Sequence, residues 1–206
     1  MRSTQRQLDT PSGPALIDLD RPSASPAGLL VLGHGAGGGI DAVDLVAVRD
    51  AALALGMVVA RVTQPYRVAG RRAPAPAPRL DEAFVAAITT ARTLRGLRSL
   101  PLVTGGRSSG ARVACRTSGQ VGADAVVALA FPVHPPSNPD RNRLDELNSV
   151  TVPVLVVQGD RDPFGMPPRR RGRRVVTVRG DHSLKDPSAI HRAVTRFLTE
   201  HLAGGA

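Results

Sequence analysis

Apolar residues fall along this chain in short continuous runs. Leu29-Leu30-Val31-Leu32, Met57-Val58-Val59-Ala60, Ala125-Val126-Val127-Ala128-Leu129 and Val154-Leu155-Val156-Val157 do not alternate with polar residues. Runs of this length, bounded by glycine and rich in β-branched side chains, predict strands buried on both faces, as in a parallel sheet. Leu100 to Thr104 and Val175 to Val178 add two more. Residues 5–20 read as a hairpin turning at Pro11-Ser12-Gly13-Pro14, with residues 21–27 as a link.

Helical periodicity fills the gaps. Leu80, Phe84, Ala87, Ile88, Ala91 and Leu94 make one stripe that stops at Gly96. Ile190, Val194, Phe197 and Leu198 make another, with Asp186 as N-cap and Pro187 at the first helical position. A helix opening at Asp41 is expected to use that residue as its cap. Asp44 would lie near the positive end of the helix dipole, Ile40 would pack on Leu45, and Gly56 would close the helix. Ala111 to Ser118 and a short piece from Leu144 to Asn148 complete the set. Gln64 to Pro78 reads as loop, stiffened by its Ala-Pro tract.

This alternation predicts one domain over residues 1–206, hairpin and link included: a three-layer α/β/α, doubly wound, mostly parallel sheet. Such sheets bind ligands beyond the carboxyl ends of their strands. The unusual stretches 33–39, 105–110, 132–139, 159–165 and 180–184 all fall at such ends.

One of them is Gly106-x-Ser108-x-Gly110, between a strand and a helix. A serine on so sharp a turn needs minimal neighbours two residues either side, and the helix behind it directs N–H groups at any oxyanion formed there. A nucleophilic serine needs a base, and the base a partner that orients it. Asp162, in Gly159-x-x-Asp162, and His182, in Gly180-Asp181-His182, follow in the chain order Ser, Asp, His. Asp160 and Asp181 compete for the acid role and rank lower by turn position. Each member also has a plain structural alternative: Ser108 as helix N-cap, Asp162 as an Asx-turn before Pro163, His182 as a cap or solvent-facing side chain.

Gly33-His34-Gly35-Ala36-Gly37-Gly38-Gly39 fits two patterns. Gly33-x-Gly35-x-x-Gly38 matches a dinucleotide fingerprint. The same loop suits an oxyanion loop, with the amides of Ala36 and Ser109 as donors, Gly37 beside them and His34 as a brace. Against the dinucleotide, the strand after it is followed by Arg61, Gln64 and Arg67, with no acid. Arg107, with Arg67, Arg71 and Arg72, is a candidate for contacting an anionic substrate.

Composition changes this picture little. The net charge of +10 invites a nucleic-acid reading. But Lys185 is the one lysine among 27 basic residues, and aromatics are 2% of the chain, which leaves no platform for stacking on bases. Arg169-Arg170-Arg171-Gly172-Arg173-Arg174 is read as a solvated run, with a polyanion contact as its alternative. A lone Cys115 precludes an internal disulfide or a thiolate metal site, and no histidine spacing suits a metal. His134, His191 and His201 read as structural or exposed. Neither a signal segment nor a membrane span is visible, so a cytoplasmic protein is expected.

Leu32 to Gly38, Gly105 to Arg112, Phe131 to Pro136, Gln158 to Gly165 and Gly180 to Ser183 together resemble the α/β-hydrolase superfamily. Within it they resemble the small dienelactone-hydrolase-like group that includes testis-expressed-type proteins and a histone-acetyltransferase-complex subunit. The resemblance implies an α/β-hydrolase fold without a cap domain and Ser108, Asp162 and His182 as the triad. Dienelactone hydrolases proper carry cysteine where Ser108 stands, which shifts the expected substrate toward small acyl esters or thioesters. The expected activity is serine-dependent hydrolysis with no cofactor, no metal and no nucleic-acid or membrane partner; a homo-oligomer is possible without being indicated. The alternatives are a catalytically silent binding or scaffold protein of this fold and, behind it, a dinucleotide-binding protein.

Overall fold

The computed structural model describes residues 2–202. Strands β1 (Arg2–Thr10) and β2 (Gly13–Arg21) form the hairpin, and β3 (Gly28–Gly33), β4 (Met57–Thr63), β5 (Leu102–Arg107), β6 (Ala125–Leu129), β7 (Val154–Gly159) and β8 (Arg173–Val178) follow. They build an eight-stranded sheet in the order β1-β2-β4-β3-β5-β6-β7-β8. β1–β2 and β2–β4 pair antiparallel; every pair from β4 to β8 is parallel. The hairpin thus extends the sheet along its β4 edge. β1 is the terminal strand, and its side chains from Arg2 to Gln7 are polar and mostly exposed.

The helices are α1 (Val43–Ala54), α2 (Pro65–Val68), α3 (Ala77–Thr93), α4 (Ser109–Thr117), α5 (Leu144–Asn148) and α6 (Pro187–Leu202). Continuous apolar strands serve two cores because successive side chains point to opposite faces. Leu29 and Val31 of β3 join Phe84, Ile88 and Ala114 on the side of α3 and α4. Leu30 and Leu32 join Val48, Val194 and Phe197 on the side of α1 and α6. Cys115 is sealed in the first core, and burial pushes its thiol up to about 12.

Two local expectations need correction. Asp41 does not cap α1: the N-cap is Ala42, with no side-chain bond, and Asp41 pairs instead with Arg61 at 2.9 Å. The strand-end cation claims the carboxylate that the helix would have used. The segment 64–78 is also not all loop. Pro65, pre-set for a first helical turn, starts α2, and α3 begins at Ala77, before the apolar stripe does. At the other end of the chain, Asp186 caps α6 as expected, accepting from the Ala189 amide at 2.9 Å.

α5 is pinned through charge. Arg112 of α4 donates from Nε to Glu146 at 2.7 Å, and Arg116 bridges Glu146 and Asp81 of α3. Burial pushes the Glu146 carboxyl up, but the hydrogen bond from Arg112 and the charges of Arg116 and Arg112 outweigh it and hold it below the usual carboxylate range. A lowered native value means that this stability is complete above the ordinary glutamate value and drains away as pH falls through the lowered one. Glu146→Gln is therefore expected to cost about 1.5–3 kcal/mol at neutral pH in urea denaturation, with the gap to wild type closing as pH falls below the usual carboxylate range.

Candidate active site

Ser108, Asp162 and His182 each follow the carboxyl end of a strand, β5, β7 and β8 respectively, and their side chains converge. Ser108 has φ 52° and ψ −110°, left-handed backbone that a non-glycine residue adopts only under constraint. Its side chain does not cap α4. Instead Oγ lies 2.9 Å from His182 Nε2. His182 Nδ1 lies 2.9 Å from Asp162 Oδ2 and 3.1 Å from Oδ1. A carboxylate can only accept, so the ring proton sits on Nδ1 and Nε2 is free to accept from Ser108.

Asp162 is fixed in turn. Gln158 Nε2 donates to its Oδ2 at 2.8 Å, and the Phe164 amide donates to Oδ1 at 2.9 Å. The Asp162 side chain is 1% exposed against 18% for His182, so the acid is sealed and the imidazole reaches the surface. Phe164 lies over the His182 ring, centroids 4.1 Å apart. The competing acids go elsewhere: Asp160 accepts from the Gly180 amide and Asp181 from the Ser183 amide, each at 2.8 Å.

The turn is held by close backbone approach. A Cβ on Gly106 would come within 2.6 Å of both the Gly33 carbonyl oxygen and the Gly110 backbone, and one on Gly110 would strike the Gly33 carbonyl. The elbow and the glycine loop after β3 therefore touch through bare backbone. Among the described residues, the non-glycine residues with positive φ are Ser108, Ala130 and Leu184. All three sit around this site, Ala130 just past β6 and Leu184 two residues after His182, which is where strain collects in functional sites.

His34 lies behind the glycine loop and holds it. It is 2% exposed, and its Nε2 accepts from the Gln64 amide at 3.1 Å. Nδ1 therefore carries the proton and donates to the Gly35 carbonyl at 2.8 Å. Burial lowers its pKa, partly offset by that bond, so the ring is neutral and has no free nitrogen for proton transfer. Tyr66 Oη donates to the Ala36 carbonyl at 2.7 Å, and the Gly38 amide to the Gly35 carbonyl at 3.2 Å. The Gly35 and Ala36 carbonyls are thus occupied within the protein. Among the described residues, the amides of Ala36, Gly37 and Ser109 have no backbone acceptor outside regular elements.

Arg107 departs from expectation. It does not stand free to meet substrate: its Nε lies 2.7 Å from the Asp44 carboxylate and its Nη2 donates to the His182 carbonyl at 3.0 Å. Sequence reasoning also missed Tyr66, Gln158 and Phe164. Gln158 had a visible signal, an amide ending an apolar strand, whose burial demands partners. Tyr66, the one tyrosine, had none, because its role depends on β4 lying beside β3. Arg61, where a dinucleotide site would carry an acid, is buried between Asp20 and Asp41 at 3.3 and 2.9 Å. A cavity of about 760 Å³ lined by Ile88, Arg92, Arg95 and Gln120 lies toward the amino ends of the strands, away from these groups. Among the described residues there is no cluster of three or more metal-ligating side chains, and no helix is long and apolar enough to cross a membrane.

The model of the alpha/beta hydrolase domain family matches residues 26–202. The chain belongs to that family. No curated protein matches this chain in sequence. Its fold is shared with many solved structures. Est1E from Butyrivibrio proteoclasticus has a TM-score of 0.78 at 17% identity, over 97% of this chain and 99% of that one. XC6422 from Xanthomonas campestris, described as an α/β serine hydrolase without a lid, has a TM-score of 0.75 at 19% identity, over 96% and 95%. A dienelactone hydrolase from Anabaena variabilis has a TM-score of 0.73 at 18% identity, over 98% and 97%. At these identities the likeness is one of fold: an alpha/beta hydrolase with a mostly parallel eight-stranded sheet between helices.

Proposed function

We propose that this alpha/beta hydrolase is a serine hydrolase that cleaves small acyl esters or thioesters. The observation that carries the reading is the unbroken contact chain from Ser108 Oγ to His182 Nε2 and from His182 Nδ1 to Asp162, each at 2.9 Å. Ser108 Oγ attacks the acyl carbon while its proton passes to His182 Nε2; Asp162 holds the imidazole and stabilises the imidazolium. The amides of Ala36 and Ser109, with Gly37 alongside, take the negative charge that develops on the carbonyl oxygen. His182 then protonates the departing alcohol or thiol, and a water deprotonated by the same nitrogen releases the acid.

Among the described residues, no inserted domain caps the site. α2 approaches from one side through Tyr66, and His134 lies against Gly165 on the other, beside Phe164 and the exposed Met166. Such a low rim suits small or protruding acyl groups. Neighbours of the same fold point the same way: Est1E is described with ferulic acid bound, and XC6422 as lacking a lid. The motif set supports membership of the small dienelactone-hydrolase-like group with a serine nucleophile, and the whole chain acting as one catalytic unit.

The test is covalent labelling by a fluorophosphonate, alongside turnover of p-nitrophenyl acetate and butyrate. Labelling is expected at Ser108, with a rate that falls when His182 is replaced by alanine. An unlabelled Ser108 in folded protein would overturn the proposal in favour of a binding protein built on the same fold.

A further inference from the structure

We propose that Arg107, anchored by Asp44, is a positioning residue that sets the aim of His182 at Ser108. This rests on the serine-hydrolase reading above and adds to it a residue pair outside the triad.

Arg107 is the last residue of β5, so its backbone delivers Ser108 directly. Its side chain then meets three further segments of the site. Nε faces the Asp44 carboxylate on the first turn of α1 at 2.7 Å. Nη2 donates to the His182 carbonyl at 3.0 Å, across 75 residues of chain. Nη1 lies at the glycine loop, where a Cβ on Gly35 would stand only 3.1 Å from it. One guanidinium therefore joins the nucleophile turn, the glycine loop, α1 and the histidine loop.

Asp44 is placed to hold that cation. Its side chain is 1% exposed, and burial pushes its carboxyl up while the charge of Arg107 pulls it back. An isolated carboxylate at such depth is costly, so it is retained only with a partner. It stands in the first turn of α1, whose N-cap Ala42 makes no side-chain bond. Its Oδ1 accepts from the Leu45 amide at 2.8 Å, which fixes the carboxylate in place and leaves Oδ2 toward Arg107.

The histidine loop needs such an anchor. Asp162 fixes the ring of His182 at Nδ1 but leaves its backbone free. Between β8 and α6 the loop's other backbone ties are short-range turns and the bonds at Gly180. The Arg107 bond is the one made at His182 itself. A displacement of about 1 Å in a catalytic group can cost on the order of 100-fold in rate. Lysine in place of Arg107 would keep the charge opposite Asp44, but its single ammonium lacks the fork that reaches Asp44 and the His182 carbonyl together.

The experiment compares wild type, Arg107→Lys, Arg107→Ala and Asp44→Asn in ester turnover, thermal melting and low-field proton NMR of the His182 Nδ1–H. In Arg107→Lys and Asp44→Asn, kcat is expected to fall ~10-fold or more with KM within ~2-fold and little change in melting temperature. The Nδ1–H resonance should shift or broaden. Arg107→Ala should lose more and regain part of its rate with added guanidinium but not with methylammonium. Unchanged kcat and an unchanged resonance in the Lys and Asn variants would overturn the proposal. So would a rise in KM at constant kcat, which would return Arg107 to substrate binding, or losses that guanidinium does not restore and that follow melting temperature alone. If wild type has no turnover that depends on Ser108, the hydrolase reading fails separately, and the resonance still decides whether Arg107 positions His182.

Discussion

Replacing Ser108 by alanine is expected to lower kcat toward p-nitrophenyl butyrate by about ten-thousand- to million-fold while leaving the fold intact. On the serine-hydrolase proposal, the mutation removes the one atom that forms the acyl bond. It also relieves nothing, because the strained φ of 52° is imposed by the strand before it and the helix after it. His182→Ala should cost nearly as much, and the double mutant little more, because the members act as a unit. Asp162→Asn belongs to the same series with a different signature. The amide would preserve shape and the bond from Phe164, but it would offer His182 Nδ1 a donor or a weaker acceptor. The proton then shifts toward Nε2, where it blocks acceptance from Ser108, and a loss of about ten-thousand-fold follows. Steady-state kinetics on the three single mutants and one double mutant check the series. Independent, additive losses would argue against a shared chemical step.

The largest expected effect on stability comes from a single methyl group. Gly110→Ala places a Cβ against the Gly33 carbonyl and within 2.8 Å of the His34 carbonyl oxygen. Both obstacles are backbone, in the strand-to-loop junction of β3, a central strand that is buried throughout. Neither can rotate away as a side chain would. The elbow and the glycine loop must separate, and about 3 kcal/mol or more of stability goes with them. That is a large share of the ~5–15 kcal/mol typical of a domain. Denaturant titration of Gly110→Ala against Gly37→Ala is the check. A Cβ on Gly37 meets nothing within 4 Å, so that variant should be close to neutral.

The candidate site residues were legible in the sequence because they are punctuation. Ser108, Asp162 and His182 each interrupt an apolar strand pattern at a point where the chain must turn, so they stand out against the background. The strands themselves were legible for the same reason, being continuous apolar runs between glycines. What stayed hidden depends on lateral order. Arg61 taking Asp41 from the helix cap, Tyr66 meeting Ala36, and Arg107 reaching Asp44 and His182 all require knowing which strands lie side by side. A charged residue advertises its need for a partner but not the partner's address, and in a chain with 27 basic residues against 17 acidic ones there are many candidates.

The exposed polar side chains of β1 have a consequence for behaviour in bulk. A terminal strand offers a row of unpaired backbone groups to any other chain, the usual seed of stacking and aggregation. Here an incoming strand would have to align itself beside Arg2 and Arg6, and a second copy of the same edge would set like charges together. Arginines without a part in the proposed chemistry would thus work against edge-to-edge pairing in the registers that set them opposite one another.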